Sequence, residues 1–99
     1  MKTTTAFIII KGSGGVLVTA LPKPPYGAKE MARLMKHADP ETRISESGDE
    51  DMLVSAAICG DHCFVFVDAS NEIPGEWMAA IVQSMVGDMV NKTSPNTVN

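Results

Sequence analysis

Ninety-nine residues, 44% hydrophobic and 20% charged, fit one globular domain with a single modest core and no room for a second. A formal net charge of −4 lacks the basic balance that sequence-independent nucleic-acid binding draws on, and two cysteines are too few for a disulfide framework. The apolar run Phe7 to Ile10 is broken by Lys11 and a glycine-rich turn, too short for a signal-peptide core or a membrane span. The chain therefore reads as a soluble cytoplasmic protein with no membrane partner, and Cys59 and Cys63 as reduced thiols.

Taken in order, Thr4 to Lys11 and Val16 to Leu21 are β-branched or apolar runs joined by Gly12-Ser13-Gly14-Gly15, which predicts a hairpin. The glycines do not form a phosphate cradle, because such a loop must lead into a helix and this one leads into a strand. Pro22-Lys23-Pro24-Pro25 then gives a rigid, extended crossover. From Gly27 to Ala38, Ala28, Met31, Ala32, Leu34, Met35 and Ala38 fall on one side of a helix, with Lys29, Glu30, Arg33, Lys36 and His37 on the other. Asp39-Pro40 ends it, since a residue before proline is driven out of the α region.

Residues 39–51 hold six carboxylates and one arginine and read as an exposed acidic loop. Its Asp49-Glu50-Asp51 cluster does not have the ligand spacing of a calcium-binding loop. A second hairpin follows, Met52 to Cys59 and Cys63 to Asp68, turning through Gly60-Asp61-His62. A second helix is expected from about Glu76 to Val90, with Pro74 in its first turn. The domain spans residues 1–91, and the polar segment 92–99 reads as a disordered tail. The fold class is α+β, with element order β-β-α-β-β-α: a four-stranded, mainly antiparallel sheet with two helices packed on one face.

That arrangement leaves a surplus. The first strand is apolar on both faces, with Ala6, Ile8 and Ile10 against Phe7 and Ile9, and so is the last, with Phe64 and Phe66 against Val65 and Val67. On the second helix Trp77, Met78, Ile81, Val82, Met85, Val86, Met89 and Val90 make a stripe broader than one buried face needs. Trp77, Met78, Ile81, Val82, Met85 and Met89 are accordingly the expected partner-binding set, and the expected partners are a second copy of the chain and a protein target.

Two other groups could carry chemistry. Cys59, His62 and Cys63 surround one turn, and a three-residue turn would set the two thiols across from each other, within reach of a soft metal or of oxidation. Residues this common in turns and cores are more simply structural, so no cofactor and no bound metal are expected. Lys29, Arg33 and Lys36 share the outer face of the first helix, in a segment (residues 1–38) of net charge +5. Without an aromatic platform beside it, that patch reads as a solvated face in preference to a nucleic-acid site. No catalytic motif is present. The leading expectation is a non-catalytic, dimeric interaction module that binds, and in doing so inhibits or adapts, a protein partner, in the manner of a phage or mobile-element accessory protein. The alternatives are a small enzyme or ligand site at the cysteine turn, and nucleic-acid binding through the basic helix.

Overall fold

The structure, a computed structural model, describes residues 2–92, with side chains through Met89. Seven elements follow in order: β1 (Thr3–Gly12), β2 (Gly15–Ala20), α1 (Ala28–Ala38), β3 (Arg43–Gly48), β4 (Met52–Cys59), β5 (His62–Ala69) and α2 (Gly75–Lys92). The strands form one sheet in the order β2-β1-β5-β4-β3, with every neighbouring pair antiparallel. Both expected hairpins are present. Each closes through two residues, Ser13-Gly14 between Gly12 and Gly15, and Gly60-Asp61 between Cys59 and His62. Gly60 at φ 59° supplies the positive φ that lets so short a turn follow the twist of its strands.

The sheet has five strands where four were expected. β3 occupies the middle of the segment read as an acidic loop, pairing Arg43 with Ile58 through Gly48 with Leu53. An edge strand is held by backbone hydrogen bonds and needs only a few inward side chains, so a polar sequence suffices. The acidic residues are then dispersed along the edge and the following turn. In that turn the Asp49 carboxylate accepts from the Asp51 and Met52 amides.

The helices lie on opposite faces of the sheet, not on one. Phe7, Ile9, Val54, Ala56, Ile58, Cys63, Val65 and Val67 form the core beneath α2, closed by Met85 and Met89. The alternate residues Ala6 and Phe66 pack with Ala28, Met31 and Met35 of α1. The physical reason is the two-sided apolarity of β1 and β5: each face needs a cover, and the chain supplies one helix for each. The surplus face assigned to a partner is thus largely covered from within. α1 lies across β4 and β5 and reaches β3. Buried Ala28, Ala32, Ala57 and Ser55 keep that layer thin. The Ser55 hydroxyl is buried with no hydrogen-bond partner among the described residues, so it is the small size of serine that serves the position.

α1 ends at Asp39, which is extended at φ −139° and whose amide still donates to the Met35 carbonyl, as the Asp-Pro sequence implies. At α2 the Pro74 carbonyl accepts from the Trp77 and Met78 amides, so Pro74 precedes the helix and does not form its first turn. Segment 93–99, which holds most of the expected tail, lies outside the described residues. No helix among the described residues is long and apolar enough to cross a membrane.

Gly48 closes the β3–β4 reversal at φ 107°, and a Cβ there would overlap the Met52 carbonyl oxygen. Gly48→Ala is therefore expected to cost about 2–3 kcal/mol in urea unfolding. Gly14→Ala, which adds a Cβ with nothing within 4 Å, should be close to neutral in the same measurement.

Candidate functional site

The β4–β5 turn does not assemble the thiol pair. Because it holds two residues and not three, Cys59 stands opposite His62, and Cys63 pairs one step further in with Ile58. One residue along a strand is one change of face. Cys63 is fully buried in the α2-side core, and Cys59 points to the α1 side, where its Sγ–H donates to Asp39 Oδ2 at 3.1 Å. His62 is exposed. Among the described residues no group of three or more metal-ligating side chains gathers anywhere.

Both thiols are held in the protonated form. The hydrogen bond to Asp39 raises the Cys59 pKa, with burial and the Asp39 charge acting in the same direction. Burial, followed by the Asp88 charge, pushes Cys63 up to about 11. The thiolate is the nucleophile and the metal ligand, so these surroundings suppress the chemistry that the sequence allowed. The partner carboxylate responds in the complementary sense: Cys59, then the Glu41 amide, hold Asp39 below its ordinary value.

Lys29, Arg33 and Lys36 are all exposed on α1. Arg33 and Lys36 share a shallow surface groove with His37 and Pro40, but Lys36 is also engaged: its Nζ donates to the Thr42 carbonyl at 2.8 Å and pins the loop that leads into β3. No phenylalanine, tyrosine or tryptophan lines that groove. On α2 the expected contact set divides. Met85 and Met89 are in the core, Met78, Ile81 and Val82 pack against it, and only Trp77 is exposed.

Asp68 does more than end a strand. Its two carboxylate oxygens each accept from the Ala28 amide at 3.0 Å, and Oδ1 also accepts from the Thr4 hydroxyl. Gly27, at the N-cap of α1, offers no side chain, so the cap is provided from β5 instead. An ideal Cβ at Gly27 would come within 3.2 Å of Asp68 Oδ2, which is why a side-chain cap and this arrangement compete for the same space. Nothing in the spacing of Gly27 and Asp68 announces this contact.

The feature that sequence reasoning missed is the β2 edge. β2 is exposed along its whole length, with Val16 at 45%, Leu17 at 58% and Val18 at 44% of full exposure. The Leu21 amide donates to the Ala6 carbonyl, so odd-numbered residues of this segment turn their backbone toward β1. By the alternation of an antiparallel ladder, Val16, Val18 and Ala20 turn theirs outward to the open edge. The available signal was the unbroken Val16-Leu17-Val18 run without polar alternation. Its meaning depended on knowing that β5 takes the other side of β1. Compared with protein-family profiles, curated proteins and solved structures, the chain matches none of them.

Two measurements test these environments. Asp68→Ala should lower the unfolding free energy by about 1–2 kcal/mol through loss of the α1 cap, with Asp68→Asn, which keeps an acceptor, losing less. The Cys63 pKa is raised in the folded state from 9.0 to about 11, so its contribution is complete below pH 9 and drains away as pH rises toward 11. Denaturant midpoints should fall across that window, and Cys63→Ala should flatten the slope while lowering the baseline.

Proposed function

We propose that this chain is a protein-interaction module whose site is the open β2 edge, and that the strand it accepts is β2 of a second copy. What supports the reading is the contrast between the two edges of one sheet. β3 carries Arg43 and Glu46, ends in a glycine at positive φ and runs into Asp49-Glu50-Asp51, all features that discourage a further strand. β2, Gly15–Ala20, has no charge, no proline and three consecutive exposed apolar residues. An edge of that kind is a template for strand addition.

Self-pairing suits the sequence. In an antiparallel pair with Val18 opposite its own copy, Val16 meets Ala20 and Leu17 meets Thr19, so no like charges oppose one another and each outward-facing backbone group finds a partner. Such an interface is isologous and closes at two copies, which leaves the guarded β3 edges outermost. Burying a leucine or valine side chain fully contributes roughly 1.5–3 kcal/mol, so covering this edge is a substantial gain for a domain of this size.

Light scattering or sedimentation at tens of micromolar should find a dimer, with Val18→Lys and Leu17→Lys shifting it at least tenfold toward monomer. Unchanged circular dichroism and urea midpoints at low concentration will establish that the variants fold. A strict monomer for the parent chain, or a dimer indifferent to both substitutions, would sink the reading.

A further inference from the structure

The chain's single tryptophan is also the one large apolar side chain exposed on α2 among the described residues: Trp77 stands at 50% exposure in the first turn, while Met78, Ile81, Val82 and Val86 pack inward. Its indole lines a cleft of about 360 Å³ together with Asp51, Met52, Glu72 and Ile73. Three elements build this cleft: the start of β4, the segment linking β5 to α2, and α2 itself. Two of its walls are apolar, since Met52 and Ile73 are half-buried against the main core. Two are carboxylates, and no basic side chain lines the cleft. The basic residues whose hydrogen bonds are described point elsewhere, Lys36 to the Thr42 carbonyl and Arg43 to that of Asp88.

We propose that this cleft binds a basic side chain, arginine or lysine, presented by a partner protein. The chemistry of the walls fits such a group part by part. An indole face attracts a cation through its quadrupole and stacks well on a planar guanidinium. The Asp51 and Glu72 carboxylates supply charge and hydrogen-bond acceptors for the head, and Met52 and Ile73 supply surface for the aliphatic stem. An anion is the wrong occupant. The α2 N-terminus contributes the equivalent of about half a positive charge, but Glu76 sits in the first turn and offsets it, and two full carboxylates line the cleft. The preceding segment, residues 39–51, has a net charge of −5 and ends at Asp51, so long-range attraction acts in the same direction. This site lies apart from the β2 edge and does not depend on the oligomeric state.

Because Trp77 is the only indole, its fluorescence reports on the cleft directly. The full chain is titrated with a hexa-arginine peptide, and the titration is repeated with hexa-lysine and hexa-glutamate. The expected result is a saturable change in Trp77 emission with one or both basic peptides and none with the acidic one. Affinity should drop at least tenfold in Asp51→Asn/Glu72→Gln and change less than twofold in Glu30→Gln/Asp61→Asn, which removes the same charge away from the cleft and from segment 39–51. No saturable change up to millimolar peptide would overturn the proposal. So would equal loss of affinity in the two double variants, which marks general attraction to an acidic protein, or undiminished binding by Asp51→Asn/Glu72→Gln. None of these outcomes alters the light-scattering result that decides the β2 reading.

Discussion

The β1–β5 pair is the constraint on which the rest of the structure depends. Both strands are central in the sheet, and both present apolar side chains in two directions: Phe7, Ile9, Val65 and Val67 toward α2, Ala6 and Phe66 toward α1. A sheet of this kind is stable in water only between two covers, which makes the molecule three-layered. The connections then have little freedom. β2 and β3 are at opposite edges, so the segment between them must cross the sheet, and α1 is that crossing. α2 follows the central strand β5 and takes the other face. Asp68 joins the two requirements, because the last polar position of β5 also caps the start of α1 and ties down Thr4 of β1.

With both faces covered, what remains open is the rim, and its parts differ in kind. One edge is polar and turns away through Gly48 and the acidic reversal, while the other is apolar and uncharged. At the end of the sheet where β5 leaves for α2, the acidic turn and the start of that helix converge on Trp77. Exposed large apolar side chains adjoin one another along β2, while Tyr26, Leu34 and Trp77 stand singly, which is a different proposition from a broad apolar face. A single strand or a single side chain can engage either, with modest loss of freedom on each side.

Several features were legible because they are local. The two hairpins show in their glycines and β-branched runs, α1 in its periodicity, and its end in Asp39-Pro40. β3 was hidden because its composition is that of a loop: Arg43, Glu46 and two serines form a strand only through backbone bonds to β4. The thiol pair failed on one residue of turn length, since a two-residue turn places Cys59 and Cys63 on opposite faces of the sheet. The broad apolar stripe on α2 has a cover within the chain that periodicity alone does not reveal. Met78, Ile81, Val82, Met85 and Met89 meet this chain's own sheet, and Trp77 is left over.

Periodicity, turn residues and the proline positions thus determined the element types other than β3, the α+β class and the presence of more apolar surface than one helix can cover, because each depends on residues a few positions apart. Tertiary structure decided which face each helix covers, that β2 is an edge and β5 is not, that Asp68 reaches Ala28, and that Asp51, Glu72 and Trp77 share one cleft. Those are pairings between residues far apart in the chain, fixed by strand order and register, and the composition of a strand is nearly the same whether its neighbour is another strand or water.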